Sequence, residues 1–432
     1  MKALGFVAKG GTFAFASRLA YAGLYFATLF ILARLLSVSD MGTYFVALSV
    51  IGFLALFVGQ GLPGLAQRSI GLAVHRGDRE YAWGWMVSAL KRCAVTAILT
   101  AGALMSIYML IRLRVNWPMI SGAVLFFVLS IATATAIQNL LTEVHRAHGR
   151  IISASLYSGT LTAATTLLAL TILFLTGIRL PIEAVLATLL ACTIATLIAA
   201  YMTLPNTSPW SKPVQARVES KQFRPYWVQA LATYGFVQVD LWIAAWLLPV
   251  EHVAMYGAAN RLAQTLALPV EAIESALPPV IVSLSNEKGR KELAQILIRS
   301  TLVQTMLTGI GLLSFLFAGS VLLAVAFGPT YATGAGVLSL LAAGWFVRAC
   351  CGPWAQTLML NSQTPLVAKM TAGWLVGSLP GMWFACTTWG SVGLAAAAAL
   401  AVATFNVAGA LVEKKIMRAS WSATPPVRGP NL

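Results

Sequence analysis

Of the 432 residues in this chain only 10% are charged, and a few of those charges fall inside long apolar stretches. They are Arg18, Asp240, Arg261, Glu271, Glu274 and Arg348. An ionisable group deep in a bilayer costs at least about 2.5–3.5 kcal/mol, so it needs a partner, water or a function. Arginine keeps its charge when buried, and its planar fork matches the oxygens of a phosphate. Arg18, Arg261 and Arg348 against few acids therefore describe a cationic cleft suited to a pyrophosphate. Asn260, Gln264 and Gln60 are neutral hydrogen-bonding groups that could line such a cleft, as are Gln138, Asn139, Gln238 and Gln356. Asp240 is a candidate for ion or proton coupling. So are Glu271 and Glu274, which lie three residues apart and share a helix face. Each group also admits a structural reading. Arg261 or Arg348 can bridge to Asp240 or Glu271 as a strut, and the amides can bond between helices.

The elements that would hold these residues are transmembrane helices. The chain is 59% hydrophobic, and apolar stretches of about 20 residues, the length of a spanning helix, recur along it with short breaks. Twelve spans are expected at 12–36, 42–62, 93–111, 119–141, 151–176, 184–204, 228–248, 253–283, 300–323, 334–360, 367–386 and 391–411. The eighth carries Pro269, Pro278 and Pro279, which predict a kink or an interfacial turn. Lys2 and Lys9 precede an apolar run, as in a signal peptide. That run, Thr12 to Leu36, is too long for one and contains Arg18 and Arg34.

The formal net charge is +16. In a soluble protein that balance would point to nucleic acid; here no nucleic acid is expected, because the charge sorts by side. Of 29 lysines and arginines, 22 fall at the N-terminus, the even-numbered connections and the C-tail, counting Lys369 at the rim of its span. Only Arg112, Arg114 and Arg179 fall in the odd-numbered connections. By the positive-inside rule both termini are expected to be cytoplasmic. The long inner connection Pro63–Arg92 is expected to include a helix lying in the interface. Residues 205–227, rich in Pro, Ser and Lys/Arg, read as a basic linker between lobes at 1–204 and 228–432.

Residues Leu35–Tyr44 and Leu247–Tyr256 both fit Leu-Leu-x-Val-x-x-x-(Gly/Ala)-x-Tyr. Each follows the first helix of a half. The fold class expected is thus an all-α integral membrane protein, with about twelve helices in two parallel-repeat six-helix lobes around a central cleft.

Other chemistry finds no support. There is no Walker A sequence, His/Glu zinc signature or nucleophile elbow. The cysteines Cys93, Cys192, Cys350, Cys351 and Cys386 lie in apolar stretches and read as buried packing residues. His145-Arg146-Ala147-His148 reads as a solvated inner loop rather than a metal site. No enzyme, metal or cofactor is expected, and coupling to a proton or sodium gradient is left open.

Three segments carry a resemblance to a known family. They are Leu35–Tyr44 at the first outer turn, Ala254–Leu262 opening the eighth helix, and Phe327-Gly328-Pro329-Thr330-Tyr331 before the tenth; Gly59 and Gly61 end the second helix in the same manner. The chain resembles the polysaccharide transporter family, whose members include the O-antigen and exopolysaccharide flippases, within the multidrug/oligosaccharidyl-lipid/polysaccharide exporter superfamily. The resemblance implies two six-helix lobes in a V around a cationic lumen. The implied substrate is an oligosaccharide on undecaprenyl pyrophosphate, and the implied partners are membrane lipids and the polymerase and export proteins of a polysaccharide pathway. Lumen arginines of such flippases fall on Arg18 and Arg261 by helix position. Twelve spans, two fewer than in lipid II flippases, suit the polysaccharide branch. The competing expectations are a cation-coupled multidrug exporter, whose cleft should be acidic or aromatic, and a non-transporting partner of a polysaccharide assembly complex. A membrane-embedded polymerase or ligase would need a larger outer loop than these.

Overall fold

A computed structural model describes residues 2–112, 121–177, 180–204, 220–284, 290–361 and 363–422. The described residues are helical with short turns. Ten helices among them are long and apolar enough to cross a membrane. Several carry rows of large apolar side chains on their surfaces, such as Ile98, Leu99 and Leu110, or Met306, Ile310 and Phe317. Apolar surface this extensive is stable against lipid rather than water. The chain is an all-α, multi-pass membrane protein.

α1 (Lys2–Leu35) and α2 (Val38–Gly59) are joined by a turn of two residues. Ser37 caps α2, its hydroxyl accepting from the Asp40 amide at 3.1 Å and donating to the Asp40 carboxylate at 2.8 Å. Gln60 and Gly61, both left-handed, end α2 and start α3 (Leu62–His75). α3 buries Leu62, Ala66, Ile70 and Ala73 against α4 (Arg79–Arg112) and α5 (Gly122–Ala147). The connection Pro63–Arg92 is therefore helical, formed by α3 and the start of α4, and the helix that carries the expected third span begins at Arg79.

α5 likewise runs past 141. This corrects the expected inner loop: His145 is fully buried, its Nε2 lies 2.9 Å from the Ala200 carbonyl, and its ring stands against Tyr157. α6 (Ile151–Ser155) passes through a π-turn at Leu156–Thr160 into α7 (Leu161–Leu175), and α8 (Ile182–Met202) follows. The linker residues 205–219 lie outside the described residues, and α9 (Ser220–Leu247) already occupies the end of the expected linker.

The expected eighth span is not one helix. It consists of α10 (Val250–Ala263), a 3-10 turn at Gln264–Leu266 and α11 (Ala267–Leu284). Pro269 has no N–H to give the Thr265 carbonyl and its ring crowds that carbonyl, so the helix tightens one turn before the proline. α12 (Arg290–Phe327) stops at Gly328, whose φ is +114°, and Pro329 opens a 3-10 turn to Gly334. α13 (Ala335–Cys350) ends at Gly352, with φ +70°, and α14 (Trp354–Leu360) is separate. The expected span 334–360 is thus broken too. α15 (Thr364–Ser422) is two helices merged across Gly390 (φ 62°, ψ −145°), and holds the expected spans 367–386 and 391–411.

Contacts gather the chain into two compact units. The first contains 1–241, 249–257 and 325–330; the second contains 242–248, 258–324 and 331–432. The first has its core among α2, α3, α4, α5 and α8, where Trp85, Met86 and Leu140 pack between alanines such as Ala66, Ala89 and Ala136. Small residues at these seams let the helices approach closely. In the second, α13 packs against α15, and Gly344 lies so near Ala399 that an added Cβ would stand 3.0 Å from its Cα.

The internal repeat reappears as geometry. α1 ends at Leu35 and α9 at Leu247; α2 begins at Val38 and α10 at Val250. The turn hydrogen bonds match residue for residue. Leu36 N to Leu32 O and Met41 N to Ser37 O, both 2.9 Å, correspond to Leu248 N to Ala244 O at 2.9 Å and Val253 N to Pro249 O at 3.1 Å. The two copies also touch within the first unit. A Cβ on Gly42 would stand 2.6 Å from the Val250 carbonyl oxygen and 3.2 Å from the amide nitrogen of its own counterpart, Ala254. A Cβ on Gly257 would stand 2.6 Å from the ring of its counterpart, Phe45.

Candidate functional site

In the second unit the residues proposed at the eighth helix form a chain around the 3-10 turn. Arg261 donates from Nη1 to Gln264 Oε1 at 3.2 Å, and Gln264 Nε2 donates to Asn260 Oδ1 at 3.0 Å. Asn260 is buried and the other two are half-buried. A spacing of three and four residues makes this ladder possible. Arg261 is therefore oriented by a neutral amide, and no ion pair to it is found among the described residues.

Arg348 differs. Its Nη2 lies 3.7 Å from Glu274 Oε2, and its guanidinium carbon is 5.0 Å from the ring centroid of Trp345. An arginine strut therefore exists, but its acid is Glu274 and not the Asp240 or Glu271 expected. Glu271, one turn earlier, is exposed.

In the first unit Arg18 is exposed on α1, with no ion pair among the described residues. Its neighbour Ser17 is buried and bonds the Ser155 carbonyl at 3.0 Å and Thr160 at 2.9 Å, which ties α1 to the π-turn. Asp240 is buried. Its Oδ2 accepts from the Tyr256 hydroxyl at 2.7 Å and its Oδ1 from the Leu241 amide at 2.8 Å. Gln60 directs its amide nitrogen to Thr96 at 2.8 Å while its backbone closes α2. Arg34 reaches the C-terminal carbonyls of two helices, Phe30 O at 2.7 Å and Val325 O at 3.2 Å, where positive charge suits the helix dipole.

The first unit also holds a cavity of about 310 Å³ among α1, α2, α5, the π-turn, α7 and α8. Gln138 and Asn139 line it. The sequence reading missed the rest of its wall, which includes Tyr21, Tyr25, Thr135 and Thr166. A signal was present. Tyr21/Tyr25, Thr135/Asn139 and Thr162/Thr166 are polar or aromatic pairs four apart in apolar helices, which puts each pair on one face.

Cys93 and Cys386 are buried as expected, whereas Cys350 is exposed; all five cysteines are free. Among the described residues no three His, Cys, Asp or Glu side chains converge as a metal site would require.

This order of helices is the fold of transporters of the multidrug/oligosaccharidyl-lipid/polysaccharide exporter superfamily. A multidrug resistance MATE family transporter in an inward-facing conformation aligns with TM-score 0.73 and 13% identity, covering 93% of this chain and 96% of that one. A Vibrio cholerae MATE transporter aligns with TM-score 0.66 and 16% identity, over 96% and 97%. A superfamily transporter from Pyrococcus furiosus aligns with TM-score 0.65 and 13% identity, over 97% and 96%; its binding pocket is described as of reverse polarity, suggesting a different function. At these identities the likeness is one of fold alone. The family is given by sequence: the profile described as polysaccharide biosynthesis protein matches residues 7–285. The chain belongs to that family, the polysaccharide transporters of the superfamily. No curated protein matches it.

Proposed function

We propose that this transporter is a flippase. It moves an oligosaccharide linked to undecaprenyl pyrophosphate from the cytoplasmic to the outer leaflet of a bacterial inner membrane, by alternating access. The observation that carries this reading is the state of Arg261. It is a half-buried guanidinium steered by Gln264 and Asn260 and not neutralised by an acid among the described residues. Such a group lacks an anion, and a pyrophosphate supplies one in the bidentate geometry that arginine favours. Arg18, exposed and without an acid partner among the described residues, is the second contact. Arg348 instead braces α13 against α11 through Glu274. Asp240 is the candidate for coupling to a proton or sodium gradient, with its carboxylate held by Tyr256. Both termini lie in the cytoplasm, and a polymerase and export proteins take the product onward.

The superfamily fold also serves multidrug transporters, whose cleft is expected to be acidic or aromatic. The cavity of the first unit has tyrosines but no acidic residue, so a cationic drug would meet ring faces and no counter-charge there, and the flippase reading stands on Arg261.

The test is leaflet-to-leaflet transfer of an undecaprenyl-pyrophosphate oligosaccharide in liposomes holding equal amounts of inserted protein. Arg18→Ala and Arg261→Ala should each slow transfer roughly 10- to 100-fold, the worth of a charge-assisted hydrogen bond. Transfer at the wild-type rate by both variants would remove the assigned anion site. Absence of transfer by wild type, with or without an imposed ion gradient, would overturn the flippase.

A further inference from the structure

The cavity of the first unit is chemically distinct from the arginines. It has an aromatic side: Tyr21 and Tyr25 stack with centroids 6.2 Å apart and an interplanar angle of 22°. The π-turn makes room for this pair. Gly159, at φ +123°, lies so close to Tyr21 that an added Cβ would stand 3.1 Å from its ring. The lining also includes polar groups with unused hydrogen-bonding capacity. The Asn139 amide and the Tyr25 hydroxyl make no hydrogen bond to any described residue, and the Thr135 hydroxyl makes none either. Thr166 is the clearest case. It is 4% exposed, and its hydroxyl has no partner. On the same helix Thr165 and Thr171 each bond a backbone carbonyl of the preceding turn. A buried hydroxyl without a partner is costly unless something fills the space beside it.

No charged side chain lines the cavity. The position that carries Asp240 in the second copy of the repeat is Thr28 in the first, and Thr28 is on the cavity wall. A cation would meet no carboxylate here, and a phosphate no arginine. What fits is a neutral molecule with an apolar face for the tyrosines and a rim of hydroxyls for Asn139, Thr135 and Thr166. A sugar ring has that form, and about 310 Å³ falls at the small end of ligand pockets.

We infer that this cavity is a glycan-binding site, taking one uncharged sugar unit of the lipid-linked oligosaccharide while the pyrophosphate is held elsewhere by arginine. The inference rests on the flippase reading for its biological ligand, but its chemistry can be tested without the carrier lipid.

Purified full-length protein in detergent would be titrated with methyl glycosides of glucose, galactose and N-acetylglucosamine, with contact followed by saturation-transfer NMR. At least one glycoside should receive saturation on its ring protons. Asn139→Ala and the near-isosteric Thr166→Val should each weaken its binding roughly two- to tenfold, the worth of one neutral hydrogen bond. Ser314→Ala, on an exposed face of α12, should bind as wild type does. Size-exclusion profiles and melting midpoints that match wild type keep the comparison valid. Contact with none of the glycosides, or binding undiminished in both cavity variants, overturns the proposal. The two readings separate in the liposome assay. If Arg18→Ala and Arg261→Ala block transfer while neither cavity variant changes glycoside binding, the flippase stands and the glycan site falls. If glycosides bind and the cavity variants lose them while no lipid-linked sugar is transferred, the glycan site stands and the flippase falls.

Discussion

Three arginines of one residue type divide by what holds them. Arg261 is steered by a neutral amide, Arg18 is exposed, and Arg348 is tied to Glu274. If the Arg348–Glu274 pair is a strut, removing one member leaves the other partly buried and unpaired, which costs more than removing both. Glu274→Met and Arg348→Met should each lower the melting midpoint in detergent, and the double variant should recover part of the loss. The coupling should be on the order of 1 kcal/mol. Strictly additive losses would show that the pair does not act as one. At this scale the sequence was partly legible. Charges in apolar helices stand out by rarity alone, so the arginines and Asp240 were visible. The partners were not. Glu271 and Glu274 share a helix face, and only the packing of α11 decides that Glu274 meets Arg348 while Glu271 is exposed. The polar lining of the cavity was faint for a different reason: spacing puts Thr162 and Thr166 on one face, but threonines in apolar helices usually bond their own backbone, so the letters do not tell that the Thr166 hydroxyl is left without a partner.

At the scale of elements, α2 and α10 meet where Gly42 opposes a backbone carbonyl that cannot move aside as a side chain can. Gly42→Ala should therefore reduce the folded yield and lower the melting midpoint, although alanine is the better helix former by about 1 kcal/mol. Gly23→Ala in α1, where an added Cβ meets nothing within 4 Å, should be neutral or mildly stabilising. Equal behaviour of the two variants would show that the close approach does not matter. The presence of the helices was legible because an apolar run of spanning length has almost no stable form but a helix in lipid. Their interruption was not. The prolines of the eighth span were visible, but the break falls before Pro269 while the helix continues through Pro278 and Pro279. The tenth span breaks at Gly352, where an added Cβ would meet Thr301 Oγ1 at 2.6 Å. The local mark was the dipeptide Gly352-Pro353, which breaks helices and which the reading of the span as one apolar run passed over.

For the whole molecule, the proposed orientation rests on the sorting of positive charge. With 22 lysines and arginines on one side against three on the other, the positive-inside rule puts both ends of the chain in the cytoplasm. A green fluorescent protein fused after Leu432 should fluoresce, and an alkaline phosphatase fused there should be inactive. An active phosphatase would reverse the orientation and, with it, the proposed direction of transfer. The fold as a whole was legible from composition, span count and one ten-residue repeat, because a bilayer permits few architectures. The division into units follows packing instead: the first unit includes residues of the later half, at 249–257 and 325–330.

The meeting of the two repeat copies has a consequence for how such a chain changes over time. Phe45 lies against Gly257 and Gly42 against Val250 and Ala254, so at this seam two pairs of twins face each other, as in a two-fold contact between identical subunits. The space is shared between the twins. A large ring in one copy is possible only because the other copy has a hydrogen atom in its place. Mutations that add volume on one side are tolerated only after volume is lost on the other, so the two halves of the gene cannot drift independently here, however far they diverge elsewhere.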